Sequence, residues 1–220
     1  MKPRSLELTL GPDVSVFGEV TEQPDARGCV LLLHDRGSDL DLVRPFAASL
    51  ARLELTTVLL DLPGHGLSEG DWDADGARAV GAALDECRRL HPHIATVAVG
   101  SACELLYAVP PASVLATALV APTLDDADLA GAEPWRVIPA IALADPCDEV
   151  PAQSMERLGR WIRAWSLRLH VHYLDPPDGA RDRWTAHMTH SVAAFVAEQI
   201  AYASVGEPAL HPPVPPGVHR

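Results

Sequence analysis

Positive charge is scarce in this chain. Its 17 Lys and Arg stand against 30 Asp and Glu, for a formal charge of -13. An acidic chain is repelled by polyphosphate and by anionic lipid, which argues against nucleic acid or a membrane surface as partner. Long apolar runs are missing as well. None reaches the roughly 18 residues that would span a bilayer. The start, Met1-Lys-Pro-Arg-Ser-Leu-Glu-Leu8, passes into strand-like alternation with no signal-peptide apolar core, and the expected location is cytoplasmic. Cysteines are few, and Cys29, Cys87, Cys103 and Cys147 show no close pairing. That pattern speaks against a zinc knuckle or a disulfide framework and for free thiols. No metal-ligand spacing occurs and no cofactor is implied. There is no internal repeat.

What remains is ordinary globular composition, 48% hydrophobic and 21% charged over 220 residues. It fits one domain over residues 1–205 with a Pro-rich tail over 206–220, where His211-Pro-Pro-Val-Pro-Pro-Gly217 has no reason to pack. Ser5–Leu10 and Val14–Val20 alternate like antiparallel strands. Cys29–Leu33, 94–100 and Val114–Val120 are apolar runs suited to buried strands, Thr56–Leu60 reads as a further buried strand, and Val137–Ala144 and Leu167–Leu174 read as strands. Between them lie helical patterns. Leu42, Val43, Phe46, Leu50 and Leu53 recur at helical spacing after a cap at Asp39 or Asp41. Asp73–Leu90, Met155–Trp165 and Trp184–Ala203 read as helices, and Thr123–Glu133 as an acidic loop. Trp161 and Trp165 share one helix face, as core or as a subunit interface. Strands alternating with helices imply a mostly parallel eight-stranded sheet covered on both faces, class α/β, with ligands at the carboxyl ends of the strands.

Three loops at that edge carry a resemblance. Val30-Leu-Leu-Leu-His34-Asp-Arg-Gly37 is similar to an apolar strand followed by His-Gly-x-Gly. Asp61-Leu-Pro-Gly-His-Gly-Leu-Ser68 is very close to D-x-P-G-H-G-x-S. Asp148-Glu-Val-Pro151 is similar to D-x-V-P. Over roughly residues 5–203 the chain resembles the α/β-hydrolases, nearest the lidless type that includes dienelactone hydrolases and carboxylesterases. Only about 15 residues separate the runs at 114–120 and 137–144, too few for that family's helical lid.

The resemblance implies a serine nucleophile on a strained turn, a histidine base, a carboxylate that orients it, and two backbone N–H groups for the oxyanion. The acid maps to Asp148. Aligning Gly100 with the first glycine of G-x-S-x-G puts the nucleophile position on Ala102 and the second glycine on Glu104. The oxyanion donors map to the N–H groups of Cys103 and Arg36, with Asp35 standing where the loop has a glycine. The triad histidine is missing near Arg181, and His187 is the next histidine along. His34 and His65 map to loop-anchoring places.

Two readings follow. The first is a non-catalytic pseudohydrolase whose cleft or surface serves binding or assembly. The second is an esterase, thioesterase or dienelactone-hydrolase-like enzyme with a displaced nucleophile, Ser101 or Cys103, served by His187. A helix N-terminus favours a lowered thiol pKa at Cys103 in that second case. The partner expected is a small acyl or ester-type ligand or a protein, with homo- and hetero-oligomers both open.

Overall fold

The structure is a computed structural model that describes residues 2–144, 149–165, 169–173 and 181–204. Asp148, Cys147 and the tail lie outside the described residues, as do the side chains of Trp165 and Arg181. The elements run β1 (Arg4–Gly11), β2 (Val14–Thr21), β3 (Cys29–Leu33), α1 (Arg44–Ala51), β4 (Thr56–Leu60), α2 (Trp72–Leu90) and β5 (Ile94–Val99). They continue with α3 (Ala102–Tyr107), β6 (Val114–Val120), α4 (Asp126–Gly131), β7 (Ala140–Ala144), α5 (Glu149–Trp165), β8 (Leu169–Tyr173) and α6 (Arg181–Ser204). The eight strands form one sheet in the order β1-β2-β4-β3-β5-β6-β7-β8. The β1–β2 and β2–β4 pairs are antiparallel and all later pairs are parallel.

Every residue of β3, β4 and β7 is buried, which is why β3 and β7 are apolar throughout and β4 carries only Thr56 and Thr57 as polar residues. Alternate side chains enter opposite cores. Leu31 and Leu33 join the layer of α2, α3 and α5, where Leu84, Leu106 and Leu158 pack. Val30 and Leu32 join the layer of α1 and α6, with Phe46, Leu50 and Val196. Among the described residues no helix is long and apolar enough to cross a membrane.

Several expectations are corrected. Leu42 and Leu53 are each 41% exposed. The helix between them is shorter than its apolar spacing suggested, because Pro45 fixes its first turn. Asp39 caps only a single 3-10 turn, Leu40–Leu42. The cap of α2 is Asp71, which accepts from the N–H groups of Asp73 and Ala74. The acidic stretch expected as a loop contains α4, held by a reciprocal capping box between Asp125 and Asp128. Val137 ends a 3-10 turn, Glu133–Val137, and β7 starts only at Ala140, after Pro139.

The register positions the site. Leu33 lies opposite both Leu60 and Ala98, and Val99 lies opposite Val120. The segments that begin at His34, Asp61, Gly100 and Ala121 therefore emerge side by side at the carboxyl edge.

Candidate functional site

The turn after β5 is two residues long. Gly100 takes φ +58°, a left-handed conformation that costs other residues about 1–2 kcal/mol and glycine little. Its N–H donates to Val120 O at 2.9 Å, tying the turn to β6. Ala98 and Ala102, two positions either side, are fully buried. The stretch Ala98-Val99-Gly100-Ser101-Ala102 is thus small, any, turn, any, small. The expectation that the turn centres on Ala102 is corrected: Ala102 is the first residue of α3, inside the core, and the strained residue is Gly100.

Asp35 fills the space beside that glycine. Its Oδ1 accepts hydrogen bonds from Ser101 N at 2.8 Å, Ser101 Oγ at 2.8 Å and Arg36 N at 2.8 Å. Arg36 N also approaches Ser101 Oγ at 3.2 Å. A Cβ placed on Gly100 would overlap the Asp35 carboxylate. Two backbone N–H groups from different loops thus converge on one oxygen, the arrangement that stabilises an oxyanion. Here the oxygen belongs to the protein itself. Cys103 N–H, expected as one of these donors, instead returns to Gly100 O at 3.2 Å within the turn. Ser101 supplies the donor.

The neighbouring loops hold this arrangement in place. His34 is fully buried; its Nε2 accepts from Leu62 N at 2.9 Å and its Nδ1 donates to Asp35 O at 2.8 Å. Burial pushes its pKa below the ordinary histidine value, and both ring nitrogens are engaged with backbone. His65 Nε2 accepts from Gly37 N at 2.8 Å, and its Nδ1 donates to Pro63 O at 2.9 Å. Both histidines bond the backbone of neighbouring loops. They sit with Trp72 in one aromatic group. The Arg36 guanidinium lies 5.3 Å from the Trp72 ring centroid and pairs with Asp73.

The displaced-nucleophile candidates fare differently. Ser101 Oγ faces Asp35. Cys103 is fully buried and its Sγ points to Ala98 O at 3.5 Å. Burial, with Asp35 and Glu104 adding to it, pushes the thiol pKa well up. The lowered thiol pKa expected from the helix N-terminus is therefore corrected: desolvation outweighs the short helix. His187 is exposed on α6. Among the described residues no histidine bonds Ser101 Oγ or Cys103 Sγ. Glu104 is a half-buried carboxyl at this edge, taking a hydrogen bond from Thr123 Oγ1 at 2.6 Å. Burial raises its pKa. Among the described residues no group of three potential metal ligands exists.

No protein-family model and no curated protein matches the sequence. Solved structures do match. An esterase from Pyrococcus furiosus superposes with a TM-score of 0.77 at 11% identity, over 90% of this chain and 91% of that one. The ferulic-acid complex of Est1E from Butyrivibrio proteoclasticus gives 0.72 at 12% identity, over 89% and 99%. The esterase domain of a Rhodothermus marinus protein gives 0.68 at 12% identity, over 90% and 100%. The chain has the α/β-hydrolase fold. In an α/β-hydrolase the nucleophile rides the strained strand-to-helix turn, and the next residue's N–H serves the oxyanion. In this chain Gly100 is the left-handed residue of the turn between β5 and α3, and Ser101 follows it.

Sequence reasoning noted Asp35 as a departure from glycine but missed what it does. The usable signal was the pair of small residues around Gly100, which offers an alternative register for the turn.

Proposed function

We propose that this protein is a non-catalytic α/β-hydrolase-fold protein, binding a ligand or partner without turning it over. The observation that carries the reading is the Asp35 carboxylate seated on the N–H groups of Ser101 and Arg36 beside a glycine turn. Acyl transfer needs an attacking atom, a base and open oxyanion donors. Gly100 has no side chain to attack with. A nucleophile's Cβ at that position would overlap Asp35. Both donors already serve an anion. The free thiols of Cys29, Cys87 and Cys103 suit a reducing compartment such as the cytoplasm, and the partner is a small acyl-type ligand or a protein.

One contact favours a second reading, an esterase with Ser101 as displaced nucleophile: Ser101 Oγ donates to Asp35 Oδ1 at 2.8 Å. A carboxylate can take a proton from a hydroxyl. This carboxylate also accepts the N–H groups of Ser101 and Arg36. No donor is then left for the developing oxyanion.

The test is intact-mass analysis after incubation with a fluorophosphonate, alongside turnover of p-nitrophenyl acetate. We expect no stoichiometric adduct, and equal turnover for the wild type, Ser101→Ala and Cys103→Ala. An adduct mapped to Ser101, with turnover lost in Ser101→Ala, would establish the enzyme reading instead.

A further inference from the structure

A cavity of about 380 Å³ opens between α4, the 3-10 turn at Glu133–Val137 and α5, and none of its lining residues belongs to the Gly100 turn. We propose that it binds a small aromatic carboxylate. The inference holds whether or not the turn site is catalytic.

Its volume is at the lower end for small-molecule sites. Arg157 and Arg160 line it from α5, three residues apart and therefore on one helix face. Each is weakly engaged. Arg157 donates to Leu124 O at 3.5 Å and has the Asp125 carboxylate of the α4 cap within electrostatic reach. Arg160 lies 3.9 Å from Glu156, with the two side chains 66% and 69% exposed, an ion pair of little worth. Arg136, the third guanidinium of the lining, is matched by Glu133 at 2.5 Å and stacks over the Trp161 ring at 4.6 Å from its centroid. The charge left for a ligand thus comes from Arg157 and Arg160. In a chain of net charge -13, two adjacent lightly held guanidinium groups over an apolar floor form an unusual local environment. The planar fork of each suits a carboxylate. The exposed Ala130 and the part of the half-buried Trp161 that Arg136 leaves uncovered offer apolar surface for a flat body. Asp126 also lines the cavity; its charge disfavours a dianion such as phosphate and selects a monoanion.

Isothermal titration of the full chain tests this with 1-naphthoate, its neutral analogue 1-naphthylmethanol, and inorganic phosphate. The expected result is 1-naphthoate binding in the submillimolar range, with both other probes at least about tenfold weaker. Arg157→Ala/Arg160→Ala should weaken 1-naphthoate by about tenfold or more with an unchanged circular dichroism spectrum. Should that double variant fail to fold, Ala130→Trp keeps the charges and fills the cavity from an exposed position; it should abolish binding. Equal affinity of the acid and the alcohol, tighter binding of phosphate, no binding of 1-naphthoate, or unchanged affinity in these variants would each overturn the proposal.

Discussion

Asp61 and Asp35 make the same construction at neighbouring strand ends, with different consequences. Asp61 follows β4. Its Oδ1 accepts from Leu40 N at 2.9 Å and its Oδ2 from Leu67 N at 3.4 Å, in room left by Gly66 at φ +54°. Asp35 follows β3 and uses the room left by Gly100 at φ +58°. In both, a carboxylate is held by backbone N–H groups against a left-handed glycine that a methyl group would push into it. The difference lies in which donors are taken. Asp61 ties two loops together. Asp35 takes the N–H groups of Ser101 and Arg36, which under the proposed function are the oxyanion donors. A device that stabilises one loop can therefore occupy a site when it is repeated one strand away.

The comparison breaks most severely at Gly66. Gly66→Ala adds left-handed strain and displaces a carboxylate that is only 5% exposed. The expected loss is about 3–4 kcal/mol in urea denaturation. Gly100→Ala should cost less, about 2–3 kcal/mol, because Asp35 is only partly buried and can shift toward water. Asp35→Gly removes that clash and leaves only the backbone strain. A double-mutant cycle between positions 35 and 100 should show a coupling of about 1–2 kcal/mol. Additive losses would mean that the carboxylate does not sit against Gly100.

The smallest effect is expected at Glu104, whose carboxyl is raised chiefly by burial. The folded state then binds its proton more tightly than the unfolded chain does. The stabilisation is present below the unfolded pKa and is lost as pH rises through the folded value. Glu104→Gln keeps an acceptor for Thr123 and does not titrate. It should gain stability relative to the wild type between pH 4 and pH 8. The side chain is half exposed and screened, so the gain at pH 8 should stay below about 0.5 kcal/mol. Paired thermal melts at the two pH values read it directly.

Legibility of the sequence followed the reach of each interaction. The runs Cys29–Leu33, Thr56–Leu60 and Val114–Val120 were readable to the residue because burial on both faces leaves a mainly apolar signature. The loop Asp61–Ser68 was readable because its glycines and aspartate act on one another within eight positions. α4 escaped because its stability comes from the Asp125–Asp128 capping box, and only Leu129 of its residues is buried. The turn was found but its register was not. A lone glycine at the end of a strand marks a turn without saying that it is itself the left-handed residue. The part Asp35 plays was not readable, since it depends on β3 and β5 being neighbours that bring residues 35 and 101 together.

The most direct measurement is an amide nitrogen–proton correlation spectrum of the wild type and Asp35→Asn at one pH near neutrality. If the Asp35 carboxylate occupies the paired donors, the Ser101 and Arg36 amide protons lie far downfield in the wild type, and both move upfield together in Asp35→Asn. Ser101 and Arg36 amides at ordinary shifts in the wild type, or that keep their shifts in Asp35→Asn, would contradict the account.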